Sequence, residues 1–94
     1  MAYAMVMEFD VDLDTHIKIG EALGDEPIKG LILHAAGPSE RGVYSFDVWE
    51  RKEDAGRFFS ERMMPALEQL GIEGGPPLSQ QEWELPYLWP SGTS

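Results

Sequence analysis

The chain has 94 residues, of which 17 are acidic and 7 are basic, and it contains no cysteine. Its net charge of −10 argues against binding to nucleic acid or to an anionic membrane surface, because both contacts need clustered lysine and arginine. The lack of cysteine excludes disulfides, thiolate catalysis and cysteine-ligated zinc, and no apolar run approaches the roughly 20 residues of a membrane helix. We expect one domain, and the absence of a signal-peptide pattern leads us to expect a cytoplasmic location.

Apolar spacing along the chain predicts four strands and two helices in the order β-α-β-β-α-β. Strands are indicated by alternation and by β-branched and aromatic residues, and helices by apolar positions three and four residues apart. We expect residues 1–87 to form the domain and residues 88–94 to form an irregular tail. The predicted strands are Tyr3–Phe9, Gly30–Ala36, Val43–Glu50 and Ser79–Leu85; the predicted helices are Thr15–Leu23, capped by Asp12 or Asp14, and Arg51–Leu70; Gly37–Gly42 is a predicted turn.

This order is typical of the ferredoxin-like α+β fold, in which a four-stranded antiparallel sheet carries both helices on one face. The other face of the predicted sheet still bears large apolar side chains. A monomer would expose an apolar patch too large for a soluble protein. We therefore expect a homodimer in which two copies pack sheet against sheet around a two-fold axis.

The long helix contains two residues that do not suit a regular amphipathic helix. Pro65 lacks an amide proton and clashes with the carbonyl of Glu61, so a kink is expected there. Arg62 falls in the middle of the apolar stripe, where a lone guanidinium must find a partner or water. Either it pairs with a sheet carboxylate such as Asp47 or Glu8, or its head group reaches the rim of the core, or it faces a ligand cavity.

Polar residues inside the apolar strands are the candidates for chemistry. Alternation places Asp47 and Ser45 on the same strand face as Trp49. His34 lies in the second strand, where it could act as a general base near neutral pH or be a hydrogen-bonded core histidine. His16 lies near the buried side of the first helix. Two histidines without a third ligand make a poor metal site, so no metal is expected.

The junction of the third strand and the long helix resembles the dimeric α+β barrel superfamily, in particular its antibiotic biosynthesis monooxygenase-like branch. The resemblance rests on Val48-Trp49-Glu50 followed by Glu53 and Phe58, and on His34–Gly37 before the second hairpin. It covers roughly Tyr3–Leu85. Such proteins hold a pocket between the sheet and the helices.

The resemblance implies that Trp49 points into this pocket. Members of the superfamily include cofactor-free monooxygenases of aromatic polyketides, haem-degrading enzymes, and cyclases or lyases. The haem-degrading members pair this tryptophan with an asparagine and a helix histidine, but this chain has no asparagine and carries Phe59 and Ser60 where the histidine would fall. Ser45 likewise replaces an asparagine common in the monooxygenases. We therefore expect no haem, and no other cofactor.

Two functions remain open at this stage. In the first, the protein is a cofactor-free oxygenase or cyclase acting on an aromatic or polyketide-like small molecule. In the second, it is a non-catalytic dimeric ligand-binding or accessory protein. The first function assigns catalytic roles to Asp47, His34 and Arg62, and substrate contacts to Trp49, Ser45, Phe58, Phe59 and His16.

Overall fold

The fold is seen in a computed structural model, which describes residues 1–73 and 75–89. A single antiparallel sheet has the strand order β2-β3-β1-β4, and the helices pack on one of its faces. The predicted β-α-β-β-α-β order and the four-stranded antiparallel sheet are confirmed. The strands are β1 Ala2–Phe9, β2 Leu31–Ser39, β3 Gly42–Trp49 and β4 Ser79–Leu85; the helices are α1 Leu13–Leu23, α2 Lys52–Phe58 and α3 Met64–Leu70.

The first helix begins two residues earlier than predicted because Asp12 caps it. The Asp12 side chain accepts a hydrogen bond from the backbone N–H of Thr15 at 2.8 Å, which satisfies one of the free donors at the helix start. The second strand runs to Ser39, three residues beyond its predicted end, and takes up much of the predicted turn. Because β2 is an edge strand, Pro38 is tolerated within it.

The long helix is divided by a π-helical turn, Phe59–Met63, between α2 and α3. The turn ends where the N–H of Met64 donates to the carbonyl of Phe59, a spacing of five residues rather than four. Pro65 lies at the start of α3. The disruption predicted near Glu61 is therefore present as a π turn.

One face of the sheet is buried by the helices and much of the other is open. On β3, Ser45, Asp47 and Trp49 are 3%, 9% and 2% exposed, whereas Tyr44 and Phe46 on the opposite face are 48% and 38% exposed. The prediction that helices cover only one face is thus confirmed for the described residues. None of the helices in these ranges is long and apolar enough to span a membrane.

An irregularity in β2 decides which way His34 points. Leu31 pairs with Trp49, but it is Leu33 that pairs with Val48, so Ile32 is an extra residue in β2. Such a β-bulge shifts every following residue by one position relative to the partner strand. As a result His34 lies directly opposite Asp47, on the face that the helices cover.

The described chain ends shortly after β4. Tyr87 and Trp89 are each 77% exposed. The rest of the predicted tail, residues 90–94, lies outside the described residues, as does residue 74.

Candidate active site

Asp47 and His34 form the centre of the candidate site. Asp47 is largely buried, with a side chain that is 12% exposed, and its Oδ1 atom accepts a hydrogen bond from Nδ1 of His34. The hydrogen bond to Asp47 raises the pKa of His34, although partial burial of the imidazole opposes this. A carboxylate that holds one imidazole nitrogen fixes the ring and stabilises its protonated form.

His16 extends this pair from the sheet to the first helix. Its Nε2 atom lies 3.1 Å from Nε2 of His34, while the two ring centroids are 5.2 Å apart and the planes differ by 23°. The rings therefore meet edge to edge, as in an N–H···N hydrogen bond, and are not stacked face to face. Burial, and then the charge of His34, lower the pKa of His16, against an opposing effect of Asp47.

The three side chains form one hydrogen-bonded line, Asp47–His34–His16, which we call the relay line. It joins β3, β2 and α1. Its two imidazoles have pKa values shifted in opposite directions. Titratable neighbours whose environments separate their pKa values can divide the roles of acid and base.

Trp49 lies two residues along β3 from Asp47, on the same face of the sheet. Its ring contacts that of Phe58 in a tilted arrangement with centroids 5.5 Å apart. The indole N–H of Trp49 is buried and has no hydrogen-bond partner among residues 1–73 and 75–89, although a buried indole usually finds one. Ser45 is also buried on this face. Phe59, in contrast, is 50% exposed on the π turn.

Arg62 is separate from the relay line. Its guanidinium donates to the backbone carbonyls of Leu23 at 3.0 Å and of Glu26 and Pro27 at 3.2 Å each. The predicted pair with Asp47 is not formed, because Asp47 binds His34. Arg62 instead holds the end of α1 and the loop that follows it.

The other predicted partner of Arg62 is also engaged elsewhere. Glu8 is 3% exposed and binds Arg41 at 2.7 Å. Of the residues singled out from the sequence, the structure thus brings together Asp47, His34 and His16, places Trp49, Phe58 and Ser45 on the same side of the sheet, and leaves Arg62 and Phe59 apart. The contact between the two histidines escaped sequence reasoning, since residues 18 positions apart on a helix and a strand leave no local pattern.

A cleft of about 220 Å³ lies between the loop after α1 and the long helix. At its wall, buried Asp54 binds Arg57 at 3.1 Å. Apart from Phe58, the cleft shares no residue with the candidate site; it is lined by Glu26, Pro27, Ile28, Lys29, Asp54, Arg57, Phe58, Glu61 and Arg62. Within the described ranges, no three histidine or acidic side chains are placed to bind one metal ion.

Neither a protein-family model nor a curated protein sequence matches this chain. Solved structures do. Protein YJCS from structural genomics has a TM-score of 0.66 at 19% identity, and the match covers 90% of this chain and 99% of that one. A Chloroflexus aurantiacus protein provisionally named antibiotic biosynthesis monooxygenase has a TM-score of 0.65 at 12% identity, with 88% and 91% of the two chains covered.

The third match is an Asn-to-Ala variant of SnoaB, a cofactor-independent oxygenase from Streptomyces nogalater. Its TM-score is 0.59 at 13% identity, and the match covers 95% of this chain and 97% of that one. At such identities a structural match establishes the fold and leaves the activity open. The chain has the ferredoxin-like α+β fold of the antibiotic biosynthesis monooxygenase-like proteins.

Proposed function

We propose that this protein is a cofactor-independent enzyme that removes a proton from an aromatic or polyketide-like small molecule and so prepares it for oxygenation or cyclisation. The observation that carries the proposal is the relay line, in which a buried carboxylate backs two imidazoles. The fold that the chain shares with SnoaB, a cofactor-independent oxygenase, supports the same class of chemistry.

The relay line supplies a base of suitable strength. An imidazole backed by Asp47 can take a proton near neutral pH, and Asp47 then stabilises the positive charge that forms. Loss of a proton from a carbon next to a phenol or ketone leaves a stabilised carbanion. The carbanion can add dioxygen to give a hydroperoxide that loses water to form a ketone, or it can attack a carbonyl group of the same molecule and close a ring.

The substrate contacts are assigned to the aromatic residues beside the relay line. Phe58 is only partly buried and provides a flat apolar surface against which an aromatic ring can pack, and Trp49, which is buried, packs against Phe58 and holds it in place. Arg62 is given no oxyanion role, because its donors already bind three backbone carbonyls.

Substitution of Asp47 by asparagine tests the proposal. The amide keeps the volume of the side chain but cannot stabilise a neighbouring imidazolium. We expect the turnover of hydroxyanthrones and other polycyclic phenols, followed by oxygen uptake and by product spectrum, to fall by about 10²-fold or more, as general-base catalysis contributes about 10²–10⁴-fold. The matched control is Asp25→Asn, at an exposed loop position, which should leave turnover unchanged.

A full rate in Asp47→Asn, with the protein still folded, would rule out the relay line as the base. The alternative function is that of a non-catalytic ligand-binding or accessory protein. The position of Arg62 favours it, since no cation of the described chain is placed beside the relay line to hold an oxyanion. A thermal shift with the same phenols that is lost in Trp49→Ala, together with no turnover in the parent protein, would support this alternative.

We further propose that the protein is a homodimer through the open face of the sheet. Four large apolar side chains are exposed there: Leu33 at 49%, Tyr44 at 48%, Phe46 at 38% and Trp83 at 47%. Light scattering after gel filtration should give twice the chain mass, and Phe46→Glu should give a monomer. Met64→Glu, which changes a helix residue that is 49% exposed, is the matched control and should remain dimeric. A monomeric parent protein would refute this part of the proposal.

A further inference from the structure

We infer that His16 is the residue that takes the proton from the substrate, and that His34 receives this proton from His16 without touching the substrate itself. The inference rests on the proposed function and adds to it a catalytic residue and a direction of proton movement. It assigns to His16 a chemical role in place of the substrate contact expected from the sequence.

The first argument is that both nitrogen atoms of His34 are already engaged. Nδ1 is hydrogen-bonded to Asp47, and Nε2 faces Nε2 of His16 at 3.1 Å. The edge-to-edge arrangement of the rings puts the shared hydrogen between these two Nε2 atoms. A substrate could therefore reach a nitrogen of His34 only by displacing Asp47 or His16.

The second argument is that His16 keeps one nitrogen free. Its Nε2 faces His34, whereas its Nδ1 makes no hydrogen bond within residues 1–73 and 75–89. His16 is half-buried on α1, so this nitrogen can be approached from outside the relay line. Nδ1 of His16 is thus the point at which a proton can enter.

The hydrogen-bond partners also assign the tautomers. A carboxylate only accepts, so neutral His34 carries its hydrogen on Nδ1, and its Nε2 is an acceptor. His16 must then carry its hydrogen on Nε2 and a lone pair on Nδ1. When Nδ1 of His16 takes a proton, the hydrogen on its Nε2 moves to Nε2 of His34. One proton has left the substrate, His16 is neutral again, and the positive charge lies on His34 beside Asp47.

The electrostatics favour this direction of transfer. The hydrogen bond to Asp47 raises the pKa of His34, and burial followed by the charge of His34 lowers the pKa of His16. The charged or titratable groups acting on the pair are Asp47 from β3, His34 from β2 and His16 from α1. A proton received by His16 is therefore more stable once it has moved on to His34.

Nitrogen-15 NMR of the two imidazoles tests the relay in the protein without substrate. At a pH where both imidazoles are neutral, we expect the Nδ1–H tautomer for His34 and the Nε2–H tautomer for His16. On acidification His34 should protonate first, and Asp47→Asn should lower its pKa by about 1–2 units, the usual effect of removing an adjacent opposite charge. The inference is overturned if His34 is found as the Nε2–H tautomer or if His16 protonates first.

Kinetics separate this inference from the proposed function. His16→Gln should lower kcat by about 10²-fold with a smaller change in KM, and added imidazole should restore part of the rate to His16→Ala. The matched control on the same helix is Lys18→Gln, an exposed position, which should keep the full rate. Loss of turnover in His34→Gln with a full rate in His16→Gln would overturn the role of His16 while the proposed function stands. Full rates in both variants would overturn the two together.

Discussion

Gly30, which precedes β2, is a position where the structure leaves no room for a side chain. A Cβ atom built on Gly30 would lie 2.3 Å from Oδ2 of Asp54, 2.4 Å from its Cγ and 2.6 Å from its Cβ. Asp54 cannot move away easily, because it is 2% exposed and is held by Arg57 at 3.1 Å. The backbone of Gly30 has a φ of +82°, which alanine adopts only with strain. We therefore expect Gly30→Ala to destabilise the protein strongly.

Two effects set the size of this loss. Placing an alanine in left-handed backbone costs about 1–2 kcal/mol, and forcing an extra carbon into a packed site costs typically about 1–3 kcal/mol. Together they predict a loss of about 2–5 kcal/mol, a large part of the roughly 5–15 kcal/mol that stabilises a typical domain. Gly71→Ala is the matched control, because Gly71 has a φ of +70° and no atom within 4 Å of its added Cβ. Gly71→Ala should therefore lose only the stability that the left-handed backbone conformation costs an alanine.

Urea unfolding followed by circular dichroism measures both losses, at one fixed protein concentration because a dimer is stabilised by mass action. Equal losses in Gly30→Ala and Gly71→Ala would refute the argument that the contact with Asp54 matters. A double-mutant cycle sharpens the test. Asp54→Gly removes all three close atoms, so adding Gly30→Ala to it should cost no more than Gly71→Ala does.

Three further predictions concern charged and polar side chains. Arg62→Ala should lower the free energy of unfolding in urea by about 1.5–3 kcal/mol, as expected for hydrogen bonds from a charged group, and Arg62→Lys should recover less than half of it because an ammonium lacks the planar fork of donors. The Ser39 hydroxyl and then Arg41 lower the pKa of Glu8 below 4.5. Ionised Glu8 therefore stabilises the fold at higher pH, and this stabilisation is lost as the pH falls through the lowered pKa. The difference in unfolding free energy between the parent protein and Glu8→Gln should accordingly shrink in urea titrations below about pH 4.5. Burial raises the pKa of Tyr3 from 10.0 to about 12. The stability that the neutral Tyr3 side chain contributes is complete below pH 10 and is lost as the pH rises towards 12. Tyr3→Phe should remove the last phase of an absorbance titration at alkaline pH.

The strand and helix pattern was predictable because it depends on local periodicity. Tyr3–Phe9 and Val43–Glu50 are short apolar stretches that contain the β-branched and aromatic residues favoured in strands. The observed β1 begins one residue earlier than predicted, and β3 is shifted by one residue towards the N-terminus at both ends. The error in β2 has a physical cause. Gly37, Pro38 and Ser39 are turn-forming residues, but an edge strand needs hydrogen bonds on one side only, so it can continue through them.

The site was predictable only where it depends on alternation within one strand. Asp47 and Trp49 are two residues apart in β3, so their common face follows from the sequence alone. The side on which His34 lies does not, because the extra residue Ile32 reverses it and no local pattern marks the bulge. Without this bulge Leu33 would pair with Asp47 and His34 would lie on the open face. The relay line therefore depends on one inserted residue in an edge strand.

The position of Arg62 shows how the two helices support the site from a distance. A regular helical wheel places Arg62 among apolar residues, but the π turn adds one residue per turn and changes the direction of the side chains around it. The last carbonyls of α1 have no partner within their own helix, and Arg62 supplies donors to Leu23 and to the loop beyond it. Because α1 also carries His16, Arg62 helps to hold the outer end of the relay line. Arg62, which the sequence suggested as a catalytic residue, thus stabilises the helix α1 that carries the proposed base His16.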